Sequence, residues 1–262
     1  MPKIHPLAIV HENALIADDV EIGPFAIIGE NVTIDSGTTI GANALIEGHT
    51  KIGKNNKIFP SSYIGLPPQD IKYNGDPTRV VIGDNNIIRE FTTIHASNNM
   101  NEDTTIGSNN MLMAYSHVAH NCVLKNNIFI ANAVQLAGHV HVYDFAIIGG
   151  QSAIQQNVRI GKFVFFGGAS ATSKDVPPFV RCQGNRKLSI GGINIVGLSR
   201  NGYDSATIEA ISKIHKIFYF SKMNFSQAIE HCETLTDLSE EQLLYINFFK
   251  ETKVRVIRHN AE

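Results

Sequence analysis

An aliphatic residue recurs at every sixth position through the first two-thirds of the chain, and no other feature limits the possible folds so tightly. From Ile4 the series passes through Val10 to Ile16, Ile22, Ile28, Ile34, Ile40, Ile46, Ile52, Ile58 and Ile64. It resumes in phase at Ile82, Ile88 and Ile94, and again from Ile106 through Leu112, Val118, Leu124, Ile130, Leu136, Val142, Ile148, Ile154 and Ile160 to Phe166. Small or β-branched residues often follow four positions later, as at Ala26, Val32, Thr38, Ala44, Ser116 and Ala146. A period of six matches neither an amphipathic helix nor a simple alternating strand. It is the period of a parallel β-helix, in which each coil buries its apolar residues against its neighbours. If three hexapeptides close a coil, equivalent positions recur every eighteen residues, stacked at a strand spacing of about 4.8 Å. Asparagine and glycine, which tolerate positive φ, crowd the intervening turns, as in Asn55-Asn56, Asn85-Asn86, Asn109-Asn110 and Asn126-Asn127.

Two segments break the series. In residues 66–79 the in-phase positions are Asp70 and Asp76. A carboxylate does not replace isoleucine in a dry core, so this segment is predicted to leave the wall as a loop. Residues 96–104 read the same way. Long loops on a rigid scaffold are where function concentrates. The series ends near Asp175-Val176-Pro177-Pro178. Beyond it Ile208, Ile211, Ile214 and Phe218 have helical spacing, and Ala228, Ile229 and Cys232 suggest a second helix. Ser239-Glu240-Glu241-Gln242 is a capping-box pattern ahead of Leu243, Leu244, Ile246 and Phe248. The predicted chain is mainly β, with a parallel β-helix over residues 1–190, loops at 66–79 and 96–104, and a helical domain over 191–262 that caps the last coil.

The 262 residues carry a net charge of −2, so no basic field points to nucleic acid. No apolar run approaches the roughly 18 residues of a membrane span. The start, Met-Pro-Lys-Ile-His-Pro, is not an apolar signal segment. Cys122, Cys182 and Cys232 make no disulfide framework. The expectation is a soluble, cytoplasmic protein.

Histidines cluster at His95, His117, His120, His139 and His141. Counting by eighteen stacks Gly138 on His120 and Gln156 on Gly138, with Asn121, His139 and Asn157 in the adjacent column. An imidazole beside a backbone amide free of a side chain suits acyl transfer. The imidazole removes a proton from a hydroxyl, and the amide stabilises the oxyanion. Spacing leaves metal binding equally open, since His117-x-x-His120 and His139-x-His141 also fit zinc. Asp70 and Lys72 are either substrate ligands or ordinary solvated loop residues. Lys125, Arg159, Lys162, Arg181, Arg186 and Lys187 form a basic cluster that suits an acidic protein partner or a solvated rim.

Several segments together resemble the UDP-N-acetylglucosamine O-acyltransferases, over essentially the full length. They are Gly48-His49-Thr50-Lys51-Ile52-Gly53, Gln69-Asp70-x-Lys72-Tyr73, Gly75-Asp76-Pro77-Thr78-Arg79, His117-x-Ala119-His120, Leu136-Ala137-Gly138-His139, Phe145-Ala146-Ile147-Ile148-Gly149-Gly150, Asp175-Val176-Pro177-Pro178 and Gln183-Gly184-Asn185. The resemblance implies a left-handed parallel β-helix and a homotrimer with active sites between subunits. It implies transfer of an (R)-3-hydroxyacyl chain from acyl carrier protein, through its phosphopantetheine arm, to the 3-hydroxyl of UDP-GlcNAc. That reaction begins lipid A synthesis and uses neither cofactor nor metal. His120 matches the general base and Gly138 the oxyanion amide. Gln69, Asp70, Lys72, His117 and His139 match residues that hold the sugar nucleotide and pantetheine. Gln156, Asn194 and Arg200 match nucleotide contacts, and the basic cluster matches the carrier-protein docking surface. Gly168 matches a position where a small residue leaves the acyl channel open, which favours a long chain.

The chain also departs from that family. Asn121 stands where an aspartate usually follows the base, Gln155 where a His-Gln pair has His, Val196 for a glutamate and Asn201 for an arginine. These differences bear on the nucleotide contacts and leave a 3-amino sugar nucleotide as the alternative acceptor. The N-acylating enzyme of the same pathway carries an additional N-terminal uridine-binding domain, for which a repeat beginning at Ile4 leaves no room. A trimeric zinc hydratase is the rival of another class. A non-enzymatic β-helix needs a flat face of repeated threonine, and the outward positions here are varied.

Overall fold

The computed structural model describes residues 1–184, 187–252 and 255–257. Strands of two to four residues wind three at a time into a left-handed parallel β-helix. Its three faces begin at Lys3–Ile4, Ile9–Val10 and Leu15–Ile16 and hold 11, 9 and 8 strands among the described residues. We call the corner between the first and second faces corner I, between the second and third corner II, and between the third and first corner III. Coils stack in the expected register, with Ile4 opposite Ile22 at one end and Ile148 opposite Phe166 at the other.

The hexapeptide dictates this shape directly. Every in-phase aliphatic from Ile22 to Ile160, and Phe166, is at most 3% exposed. Burying each is worth about 1.5–3 kcal/mol relative to leaving it in water. At the open N-terminal end Ile4 remains 40% exposed, because no coil lies beneath it. The paired asparagines divide the work at corner III. Asn55, Asn85 and Asn109 take left-handed backbone angles (φ 56°, 58° and 60°) that turn the chain. Asn56, Asn86 and Asn110 point inward as a buried ladder. The Oδ1 of each of the first two accepts the N–H of the next (2.9 Å each), and Asn110 Oδ1 accepts from Ile128 N (2.8 Å). The ladder satisfies backbone donors that the turns would otherwise leave buried and unpaired.

Both breaks are loops, and both leave at corner II. The first runs between the strands Tyr63–Leu66 and Arg79–Ile82, the second between Thr93–His95 and Thr104–Ile106. Ile52 pairs with Ile82, thirty residues on, and Ile82 with Ile106, twenty-four residues on. The excesses over eighteen are twelve and six. Each is a whole number of hexapeptides, which is why the inward phase survives both excursions.

The parallel ladder ends where Val180–Gln183 pairs antiparallel with Ser189–Ile193. Strand therefore gives way to helix at Asn194, slightly beyond the boundary drawn from periodicity. Helix α1 (Ile195–Arg200) was not evident in the sequence. Helices α2 (Ser205–Phe220) and α3 (Phe225–Glu233) form where spacing predicts them, and α4 (Glu240–Lys250) where the capping box does. Both bonds of the Ser239/Gln242 capping box are present. Of the apolar residues after that cap, Leu243 and Leu244 are exposed (44% and 38%), while Ile246 and Phe248 are buried. One apolar core continues from Val20 to Ile257.

Arg159 locks the helices to the last coils. Its Nε lies 2.8 Å from Oδ2 of Asp175, which is fully buried, and its Nη2 donates to Phe248 O (2.9 Å). The guanidinium lies 4.2 Å above the Phe248 ring. This corrects the expectation that Arg159 belongs to a basic docking surface, because a buried carboxylate has claimed its charge. Asn185 and Arg186 lie outside the described residues.

Candidate active site

Corner II gathers both loops and the histidines onto one edge. Its successive turns carry the loop 67–78, the loop 96–103, then His120-Asn121, Gly138-His139 and Gln156-Asn157. The His139 N–H donates to His120 O (2.9 Å) and the Asn157 N–H to Gly138 O (3.1 Å), which establishes the stacked columns expected from counting by eighteen. Asn121, His139 and Asn157 hold the left-handed turn position (φ 57°, 58° and 65°). His120, Gly138 and Gln156 precede them.

Gly138 is there for room. A Cβ on it would overlap the His120 ring, 2.5 Å from Nε2 and 3.0 Å from Nδ1. The imidazole therefore lies against the bare Gly138 backbone. Among the described residues the Gly138 N–H donates to no acceptor. A buried imidazole nitrogen thus stands beside an uncommitted backbone donor.

The tautomer of His120 follows from its partners. Asn121 Oδ1 accepts the Asn98 N–H (3.0 Å), while Asn121 Nδ2 donates to Glu102 Oε2 (2.9 Å). The amide oxygen is thereby turned toward His120, whose Nδ1 lies 2.9 Å away. Nδ1 must then carry the proton, and the lone pair of the neutral ring is on Nε2. Asp70 Oδ2 lies 3.7 Å from that nitrogen. Asp70 is itself fixed, accepting from the Lys72 N–H (2.9 Å) and the Asn98 side-chain amide (2.7 Å). Those two bonds, with a further contribution from His120, hold its carboxyl below the usual carboxylate range.

The clustered histidines around His120 are shifted toward the neutral form. Burial, with His95 and His120 adding to it, pushes His117 down to about 4. Its Nδ1 is 2.7 Å from Thr93 Oγ1. Burial also lowers His95, whose Nδ1 has no hydrogen-bond partner among the described residues and whose ring packs edge-on to His117 at 4.9 Å. His139 is lowered chiefly by burial and meets His120 edge-on at 5.2 Å. His141 lies apart, on the third face beside Val123 and Arg159. No set of three or more His, Cys, Asp or Glu converges as a metal site among the described residues, so the zinc reading has no ligand set within one chain.

Five of the sequence-selected residues thus lie at corner II (Asp70, Lys72, His120, Gly138 and His139), and a sixth, His117, stands beside it on the second face. Gln69 is exposed on the first loop, and Gln156 is exposed one coil beyond Gly138. Three others are elsewhere. Gly168 is at corner I, close to Gly149 and Gly150. Asn194 is at corner III, where both ends of its amide are used, Nδ2 donating to Phe163 O and Oδ1 accepting from Gly197 N at the start of α1. Arg200 is exposed at the end of that helix. Sequence reasoning did not single out Asn98, Glu102, Thr93 or Thr104. The last accepts the Asn121 N–H at 2.8 Å. The only available signal was that Asn98, Glu102 and Thr104 fall in the broken segment 96–104.

The chain matches the family described as Udp N-acetylglucosamine O-acyltransferase, Domain 2, over residues 175–257, and the bacterial transferase hexapeptide (six repeats) over residues 13–48. It is 48% identical over 229 residues to the acyl-[acyl-carrier-protein]–UDP-N-acetylglucosamine O-acyltransferase of Burkholderia orbicola, covering 87% of each chain. The enzyme of the same name from Paraburkholderia phymatum is 44% identical, over 98% of this chain and 100% of that one. The solved UDP-N-acetylglucosamine acyltransferase of Bacteroides fragilis superposes with a TM-score of 0.93 at 38% identity, over 97% of this chain and 99% of that one. The one from Campylobacter jejuni gives 0.91 at 36% identity, over 98% and 100%.

Proposed function

This chain belongs to the UDP-N-acetylglucosamine O-acyltransferase family and is an acyltransferase, and from that premise we propose that it transfers an (R)-3-hydroxyacyl chain from acyl carrier protein to the 3-hydroxyl of UDP-GlcNAc. His120 Nε2 takes the hydroxyl proton as the oxygen attacks the thioester carbonyl. The Gly138 N–H donates to the oxyanion of the tetrahedral intermediate. When the intermediate collapses, the C–S bond breaks and the imidazolium returns its proton to the pantetheine thiolate. The observation that carries this reading is the His120–Gly138 contact, in which the lone-pair nitrogen and an unengaged backbone donor share one small space.

Asp70, Lys72, Gln69, His117 and His139 are assigned to the substrates around this centre. Gln156, Asn194 and Arg200 are assigned to the nucleotide, and Gly168 to the acyl channel. Asn194 and Arg200 at corner III, and Gly168 at corner I, cannot serve a corner II base in the same chain. Their assignment therefore requires a second copy, which supports a homotrimer with sites between subunits. Lys125, Lys162, Arg181 and Lys187 remain as the basic surface for the acidic carrier protein. No helix among the described residues is long and apolar enough to cross a membrane, and we place the enzyme in the cytoplasm at the first step of lipid A synthesis, with no cofactor.

The test is to incubate the purified protein with UDP-GlcNAc, its 3-amino analogue and 3-hydroxyacyl carrier proteins of graded length, and to identify products by mass. The expected product is the 3-O-acyl sugar nucleotide carrying a long chain. Exclusive acylation of the amino analogue overturns the hydroxyl acceptor, and no acyl transfer to either overturns the reaction.

A further inference from the structure

The second loop brings a carboxylate to His120 through an intermediary. Asn121 Oδ1 faces His120 Nδ1 at 2.9 Å, and Asn121 Nδ2 donates to Glu102 Oε2 at 2.9 Å. The same glutamate oxygen lies 3.6 Å from His139 Nδ1. An amide transmits polarisation but carries no charge of its own. When His120 takes up a proton, the charge behind it on the Asn121 side is therefore that of Glu102. We propose that Glu102 is a positioning residue for the acyl transfer, holding the Asn121 amide so that His120 keeps its Nδ1 proton and supplying, one hydrogen bond removed, negative charge that favours the imidazolium.

This rests on the reading of His120 as the base. It also explains the residue type at 121. With Glu102 at hydrogen-bond distance, an aspartate at 121 sets two carboxylates about 3 Å apart, and one must protonate or the loop must move. Asn121 and Glu102 are thus a matched pair, each chemically acceptable because of the other.

The titratable and charged groups facing the His120 ring are Asp70 with Lys72 beside it on the first loop, Glu102 on the second, His95 and His117 from the second face, and His139 one coil away. Glu102→Gln removes one of these charges at nearly constant side-chain size, and with it the carboxylate that also faces His139. Glu102 is exposed, so solvent screens its effect. The expected result is a fall in kcat of about threefold to tenfold, with KM nearly unchanged, and an acid limb of the kcat profile displaced to lower pH by about half a pH unit. The melting temperature should not move.

The decisive comparison repeats the change in an Asn121→Asp background. There Glu102→Gln removes a carboxylate clash and restores a hydrogen-bond donor to the carboxylate introduced at position 121, so it should raise kcat where in the wild type it lowers it. That reversal of sign supports the proposal, since a merely structural loop residue does not produce it. Equal effects in both backgrounds overturn it. So does wild-type kcat and pH profile in Glu102→Gln while His120→Ala is inactive, which leaves the base assignment standing. An active His120→Ala enzyme overturns the base assignment itself, and this proposal with it.

Discussion

A methyl group at residue 138 and the His120 ring cannot occupy their present places together, because the Cβ would lie 2.5 Å from Nε2. The ring is the part able to move, so Gly138→Ala should shift the base by a fraction of an ångström to an ångström. The expected loss is about a hundredfold in kcat with the fold retained, read by steady-state kinetics beside a thermal melt. A variant with full activity contradicts the assigned contact. The buried histidines make a separate prediction about acid stability. His117 titrates at about 4 in the fold against 6.5 for the free side chain. The unfolded chain therefore binds the extra proton first, and stability is complete above about 6.5 and declines as pH falls toward 4. His95, His139 and His141 are lowered in the same direction and steepen the decline. The midpoint of urea unfolding, followed against pH, should fall through this window, and less steeply in His117→Asn. An equal slope in the two proteins contradicts the assignment to His117. At this scale the sequence carried His120 and Gly138, because stacked turns have a fixed register. It could not carry the Asn121–Glu102 or Asp70–Asn98 contacts, since irregular loops obey no register.

The two loops are additions to a wall that does not depend on them. Removing residues 67–78 joins Leu66 to Arg79 and keeps Ile64 and Ile82 six positions apart. That deletion should leave the β-helix folded, with its far-ultraviolet circular dichroism and cooperative melt, while acyl transfer is lost with Asp70 and Lys72. Removing eleven residues instead throws every later aliphatic out of phase and should yield misfolded protein. Folding of both deletions contradicts the dependence on phase. The join between coils and helices is centred on the buried Arg159–Asp175 pair, with Glu251 Oε2 a further 3.7 Å contact to the guanidinium. Asp175 is fully buried and accepts from Arg159 and, through Oδ2, from Thr252 (2.7 Å). Asp175→Ala leaves the largely buried Arg159 with only the exposed Glu251 carboxylate, at 3.7 Å, as a charge partner among the described residues. It should destabilise the protein by about 3–5 kcal/mol, measured by urea unfolding, and speed proteolysis between α4 and the coils. Helices α2 and α3 were legible from apolar spacing and α4 from its capping box, whereas α1, six residues long and set by the Asn194 cap, was too short for periodicity to reveal.

For the whole molecule, the six-residue period determines the coil, the stacking and the edge on which the site is built. Either hand of coil has the same period, so handedness entered only with the family resemblance. The dispersal of Gly168, Asn194 and Arg200 to other corners is likewise invisible in a linear series and emerges only once the three corners are distinguished. The proposed chemistry then centres on one edge, corner II, where the loops that leave the wall return to meet an imidazole lying on a bare backbone, while Asn194, Arg200 and Gly168, assigned to the nucleotide and the acyl channel, are brought to it from other corners. The most direct measurement is the kcat of His120→Ala for acyl transfer from 3-hydroxyacyl carrier protein to UDP-GlcNAc, on protein whose melt and oligomeric state match the wild type. The account predicts a loss of about a hundredfold to ten-thousandfold, the usual worth of a general base. A kcat within about tenfold of the wild type would contradict it, since general-base catalysis of that size cannot then reside in His120.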